Sequence, residues 1–265
     1  MSKVRVKLVN VSKSFEDIIA LRNINLEVAR GEYVAVLGPT GAGKTTLLRI
    51  IAGIISPDSG EIYMDGNLVN DIPPEDRNVS YLPQTYALFP HMTVLENVMY
   101  GLLTRGFSKE EAKSRALETL EMVGLERRAY SFPNELSGGM QQRVALARAI
   151  APPTDLLLLD EPLSALDAIL RLELKFQLRK IAKKLKLTVI HVTHDQEVAL
   201  SIPDRIVVMK KGEILQVGDP KMVYELPNSI YVANFIGEMN FLMGIIIERK
   251  NEYAILDTGG WIVKG

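Results

Sequence analysis

The chain contains no cysteine. That excludes disulfides, iron–sulfur clusters and thiolate nucleophiles, and fits a reducing compartment. It also has no apolar run approaching the roughly 18 residues a membrane-spanning helix needs, so any membrane role requires a partner. Its N-terminus, MSKVRVKLVNVSKSF, has no long apolar stretch of the kind a secretory leader carries, and none is expected. An excess of charge of one sign is missing too. The 31 Lys and Arg against 32 Asp and Glu leave a net charge of −1, so no nucleic-acid partner is expected. What is present is 265 residues, 47% of them hydrophobic, which is enough for one large domain or a domain with an appendage.

The most informative stretch is GPTGAGKTT, made of Gly38, Pro39, Thr40, Gly41, Ala42, Gly43, Lys44, Thr45 and Thr46. It satisfies G-x-x-x-x-G-K-[ST] in full. The apolar run Tyr33–Leu37 precedes it and Leu47–Ile51 follows, giving the order strand, glycine loop, helix that a phosphate cradle needs. Glycines let the backbone turn its N–H groups toward phosphate oxygens, and the helix opening near Gly43 adds its positive dipole end. Lys44 is expected to reach the β- and γ-phosphates, and the Thr45 hydroxyl to ligate Mg²⁺.

Around this loop the chain reads as α/β. Val4–Leu8 and Ala20–Val28 alternate apolar and polar residues as half-exposed strands do, with Phe15 in a loop between them, either a satellite core residue or a flat ring for a base. Thr46–Ile54 reads as the helix after the glycine loop, Gly60–Gly66 as a strand with a turn, and Asn78–Gln84 as a short strand. From Thr93 to about Tyr130 the pattern becomes helical, with Ser108–Glu111 as a capping box and Gly124 as a stop. This block interrupts an otherwise βα chain and reads as an inserted subdomain. Ser137 then caps a helix whose first turn carries Gly138 and Gly139, which is either an ordinary capped helix or a second anion site.

Asp155–Leu159 is a buried parallel strand that ends in Asp160 and Glu161. Carboxylates at a strand's C-terminal end stand in the crevice where open α/β sheets bind ligands. There Asp160 suits the metal, and Glu161 a base for attacking water. Arg171–Leu187 reads as an amphipathic Lys/Arg-rich helix with a solvated face. Thr188–Thr193 is a second buried strand, with His191 packed inside it and His194 at its end. Arg205–Met209 and Gly212–Gly218 form a strand pair, Pro220–Phe235 a helical tail, and Leu242–Ile247 and Glu252–Leu256 strands of a different unit.

These pieces in this order, above all LSGGMQQR at 136–143, resemble the nucleotide-binding subunit of an ATP-binding cassette (ABC) transporter over about Val4–Phe235. The resemblance implies a P-loop NTPase with a RecA-like core, an antiparallel β subdomain and an inserted α-helical subdomain near 87–153. It implies ATP and Mg²⁺ as ligands. It makes Phe15 the adenine-stacking residue, Gly38–Thr46 the Walker A loop, and Gln84 the Q-loop glutamine that touches Mg²⁺ or the attacking water. Ser137, Gly138 and Gly139, with Asp167 of the D-loop Ser164–Asp167, contact ATP held by the opposite copy of a homodimer. Leu156–Asp160 becomes Walker B, Glu161 the catalytic carboxylate and His194 the switch histidine. Thr85–Met92, with exposed-type aromatics, resembles the surface that faces a separate membrane permease fed by an extracytoplasmic solute-binding protein. That places the subunit on the cytoplasmic face of the membrane. Residues 237–265 resemble the start of an OB-like regulatory domain, in the manner of sugar, polyamine and oxyanion importers. Two rivals fit less well. Soluble ABC proteins of translation or DNA repair usually carry two cassettes or a long coiled coil, and a small-molecule kinase leaves LSGGMQQR unexplained.

Overall fold

The structure, a computed structural model, describes residues 3–163, 168–237, 239–250, 253–259 and 261–264. Two long strands open the chain, β1 (Val4–Phe15) and β2 (Ile18–Ala29), paired antiparallel. Phe15 is therefore the last residue of β1, opposite Ile18, and not a loop residue. The alternation that marked Val4–Leu8 continues unevenly through a strand with register shifts, which hid its far half. β3 (Tyr33–Leu37) leads into the glycine loop, and α1 (Lys44–Ala52) follows two residues earlier than expected. β4 (Ser59–Met64) pairs with β1, and the short β5 (Asn67–Leu68) completes a four-stranded antiparallel sheet in the order β2-β1-β4-β5.

After β6 (Val79–Leu82) come α2 (Val94–Leu103), α3 (Lys109–Met122) and α4 (Gly138–Ile150), which pack on one another. Their starts are written in the sequence: Thr93–Glu96 and Ser108–Glu111 both form reciprocal capping boxes, and the Ser137 side chain accepts from the Met140 N–H. β7 (Leu156–Asp160), α5 (Ala168–Lys184), β8 (Thr188–Thr193), α6 (Gln196–Ser201), β9 (Arg205–Lys210) and β10 (Glu213–Gly218) follow. The second sheet has the order β10-β9-β3-β8-β7-β6, parallel except for β10. The helical tail divides into α7 (Pro220–Glu225) and α8 (Ile230–Ile236). A separate antiparallel sheet follows, made of β11 (Ile245–Lys250), β12 (Tyr253–Asp257) and β13 (Ile262–Lys264). β11 begins three residues beyond the expected Leu242, and β13 was not foreseen.

Both faces of the parallel sheet are covered, so its strands are continuously apolar. Val34, Val36, Leu158, Ile190 and Val192 pack against α1 and the antiparallel sheet. Tyr33, Leu157, Leu159 and Val189 face the opposite layer, where α2–α5 pack. Ala35, Leu37, Ile206 and Val208 meet α6, α7 and α8. The result is a frame in which β3, β8 and β7 lie side by side and end at one edge: Leu37 pairs with Thr193, and Asp160 with Val192.

Candidate active site

Each of those three strand ends delivers a chemical group. Gly38 follows β3, Glu161 follows β7 and His194 follows β8. The glycine loop is pinned by close backbone approach. A Cβ on Gly38 would stand 2.5 Å from the Met209 carbonyl oxygen, and one on Gly43 2.2 Å from that of Ala20. The Gly212 N–H donates to the Ala42 carbonyl at 3.0 Å, so the β9–β10 turn holds the loop from behind. Gly43 caps α1 with φ +96° and offers no side-chain bond, which leaves the first-turn N–H groups directed at the cleft. Lys44 is buried. Its ammonium donates to the Gly38 and Pro39 carbonyls at 2.8 and 3.0 Å and lies 4.0 Å from Glu161 Oε1. Burial pushes its pKa down, and the charges of Glu161 and Asp160 partly oppose this.

Asp160, 2% exposed, accepts from the Thr45 hydroxyl at 2.9 Å and from the Tyr81 phenol at 3.0 Å. Burial and the neighbouring Asp160 charge push Tyr81 up to about 12, so it stays a donor. Glu161 bends away from its neighbour in the left-handed region, φ +51°, with its N–H on the Val192 carbonyl at 3.0 Å. Its side chain, 12% exposed, meets His194 Nδ1 at 2.5 Å, while the His194 side chain is 57% exposed. Two adjacent acids thus face different partners: Asp160 the Thr45 hydroxyl, and Glu161 the imidazole and the ammonium. Ile18, Ile19, Thr40–Thr46, Gln84, Glu161 and His194 enclose an open cleft of about 370 Å³.

The Thr45 hydroxyl and the buried Asp160 carboxylate are hard oxygens of the sort Mg²⁺ takes together with phosphate oxygens, and Gln84 lines the same cleft as Thr45. Among the described residues no cluster of three or more His, Cys, Asp or Glu could hold a metal without such help. Ser137, Gly138 and Gly139 do not line the cleft, and a Cβ on Gly138 would meet open space. Asp167 and the rest of Ser164–Asp167 lie outside the described residues. Phe15, 44% exposed, carries Lys13 over its ring at 5.5 Å and is not among the lining residues; Ile18 and Ile19 are.

Sequence reasoning missed those isoleucines and Tyr81. The signal for Tyr81 is its register beside Leu158 in the strand adjoining β7, which only sheet order supplies. Within Thr85–Met92, Thr85, Ala87, Pro90 and His91 are exposed and the other four residues partly buried. Tyr86 and Leu88 pack on the helical core, and Phe89 lies 4.7 Å from the Tyr100 ring.

The ABC transporter family model matches residues 21–164, and the chain belongs to that family, whose cassettes bind and hydrolyse ATP. Its relatives include the spermidine/putrescine import ATP-binding protein PotA of Thermotoga maritima, 46% identical over 255 residues, which cover 96% of this chain and 69% of that protein. The Fe(3+) ions import ATP-binding protein FbpC of Brucella abortus is 48% identical over 251 residues, 95% of this chain and 71% of the other. A bacterial ABC transporter cassette solved as a dimer superposes with a TM-score of 0.75 at 39% identity, covering 81% of this chain and 98% of that one. For cbiO1 from Clostridium perfringens, part of an ABC transporter complex, the values are 0.77, 29%, 85% and 92%.

Proposed function

We propose that this chain is the ATP-hydrolysing subunit of an importer, working as a homodimer on the cytoplasmic face of a membrane beneath a separate permease that an extracytoplasmic solute-binding protein supplies. The observation that carries the reading is the convergence of the glycine cradle, Thr45–Asp160 and Glu161–His194 at the ends of β3, β7 and β8. The import function of the polyamine and iron(III) relatives favours uptake over a soluble role, and the transported solute does not touch this subunit.

In this reading the loop N–H groups and Lys44 hold the phosphates, and Thr45, Asp160 and Gln84 would hold Mg²⁺, which supplies charge neutralisation on the phosphate oxygens. Phe15 stacks on adenine, with Ile18 and Ile19 as the apolar floor beside it. Glu161 accepts a proton from the attacking water, and His194 fixes that carboxylate while facing the γ-phosphate. Ser137, Gly138, Gly139 and Asp167 complete the site from the opposite copy, which accounts for a signature helix that lies outside its own cleft. Closure follows ATP binding, and loss of the γ-phosphate contacts reopens the pair. The segment Tyr86–Met92 docks the permease. Residues 1–236 form the cassette with its helical subdomain at 87–153, and 237–265 begin an OB-like regulatory domain.

The test is Glu161→Gln, which keeps the shape of the carboxylate and removes its charge. Hydrolysis should fall by roughly 10²–10⁴-fold while Mg-ATP still binds. The variant should elute as a dimer with Mg-ATP and as a monomer with ADP. Wild-type turnover would remove Glu161 from the role of base, and a monomer in saturating ATP would remove the shared site.

A further inference from the structure

Arg148 lies in the last turn of α4, the helix that Ser137 caps, eleven residues beyond that cap. Nothing in the LSGGMQQR pattern singles it out. Its guanidinium donates through Nη1 to the Ala87 carbonyl and through Nη2 to the Tyr86 carbonyl, both at 2.7 Å. The same group sits over the Phe89 ring at 5.3 Å from the centroid. One side chain therefore grips three of the five residues that follow Gln84. A planar fork with two parallel N–H donors is suited to two adjacent carbonyls, and a lysine is not.

The backbone gripped here is strained. Tyr86 and Ala87 are consecutive non-glycine residues in the left-handed region, with φ +43° and +47°. Such a conformation persists only when its surroundings impose it, and the two carbonyls it turns outward are the ones Arg148 takes. From the other side Asn97, on α2 and fully buried, accepts from the Phe89 N–H at 2.8 Å and donates to the carbonyls of Phe89, Met92 and Thr93. Tyr86 to Thr93 is thus fastened to α2 and α4, whereas Gln84, two residues earlier, lines the phosphate cleft.

We propose that Arg148 is a positioning residue for hydrolysis: by holding the Tyr86–Ala87 turn against the signature helix it sets the place of Gln84 in the cleft, so that Gln84 and Ser137 move as one body. The proposal rests on the reading of Gln84 as a residue that serves turnover. It assigns the two ends of one helix to the two halves of the composite site, Ser137 to the opposite copy's nucleotide and Arg148 to the loop over its own.

The experiment measures kcat, Mg-ATP affinity and thermal melting for the wild type, Arg148→Lys, Arg148→Gln, Gln84→Ala and the double variant Gln84→Ala/Arg148→Lys. In Arg148→Lys, charge and stem survive but the two-carbonyl grip does not. Its kcat should fall about tenfold with melting close to wild type, and any loss of Mg-ATP affinity should be no larger than in Gln84→Ala, because the change acts only through the group it displaces. In the Gln84→Ala background the same change should alter kcat by less than about twofold, since the group it positions is already gone. Arg148→Gln, which lacks both the charge and the two-nitrogen fork, should lose kcat at least as much as Arg148→Lys does. Multiplicative losses in the double variant overturn the proposal, as does wild-type turnover in Arg148→Lys. An Arg148 variant that loses more Mg-ATP affinity than Gln84→Ala does, or that melts well below the wild type, also overturns it, because Arg148 is then a structural residue. If Gln84→Ala alone turns over at the wild-type rate, the role of Gln84 falls and this proposal with it, while the Glu161→Gln outcome still decides the ATPase reading separately.

Discussion

At the scale of single residues, the glycine loop depends at Gly43 on a backbone position that a side chain cannot occupy. Gly43 combines φ +96° with an Ala20 carbonyl oxygen 2.2 Å from where a Cβ would be, whereas Gly41, at φ +80°, has nothing within 4 Å. The two are equally permissive in torsion and differ in space. Gly41→Ala should therefore cost only the left-handed penalty of about 1–2 kcal/mol. Gly43→Ala adds displacement of β2 from the loop and should cost about 2–4 kcal/mol, with loss of Mg-ATP binding. Urea unfolding and nucleotide titration compare them directly, and equal effects would show that Ala20 does not constrain the loop. Glu161 is the opposite case, a side chain kept where φ is +51°. It leaves β7 in this conformation while Asp160 stays in the strand, and strain of this kind gathers at functional sites.

At the scale of elements, what the sequence disclosed was whatever is local. The strands β3, β7 and β8 are buried runs, the caps at Ser108 and Ser137 are four-residue patterns, and the strand-end acids stand beside their strand. What it withheld depends on partners far along the chain. The Lys/Arg-rich face of α5 reads as solvated, yet Lys175 meets Glu197, Arg171 meets Asp195, and Arg179 and Lys183 meet Asp204. Asp204 also accepts from the Tyr33 N–H at 2.9 Å, so one carboxylate ties α5 to the start of β3, next to β9. Burial would raise its pKa, but Arg179, the Tyr33 N–H and Lys183 more than offset this and hold it down to about 2 from 3.8. Because the folded value is the lower one, its stabilisation is complete above the unfolded pKa and is lost as pH falls through the folded one. The stability gap between wild type and Asp204→Asn should therefore be constant above about pH 5, shrink between about pH 4 and 2, and vanish below. Unfolding midpoints across that range check it, and a gap unchanged at about pH 2 would mean the charge is not its source.

At the scale of the whole molecule, the layers position two surfaces at once, the phosphate cleft and the outer side of the helical block. A groove of about 580 Å³ runs there beside the Thr85–Met92 segment, lined by His91, Met92, Met99, Tyr100, Leu103 and Tyr130. The sequence marked the segment, which includes Leu88 and Phe89, as a docking surface. In the fold Leu88 packs on the helical core and Phe89 sits between Tyr100 and Arg148, so a charge at either would disturb the block that carries Ser137. The partial burial of those two could not be read from eight residues whose packing partners come from α2 and α4. Leu103 and Tyr130 are the better probes, 44% and 70% exposed at the rim of the groove. A permease helix seated in this groove would bury both, and a carboxylate placed there would lose its hydration without a partner. Leu103→Glu and Tyr130→Glu should therefore leave the ATPase rate of the isolated chain within about twofold of wild type, since surface changes away from the cleft perturb stability little. The same variants should fail to support solute uptake when reconstituted with their permease. Normal uptake by both would move the docking surface off this groove, and a lost basal ATPase would show instead that the helical block cannot bear charge at its rim.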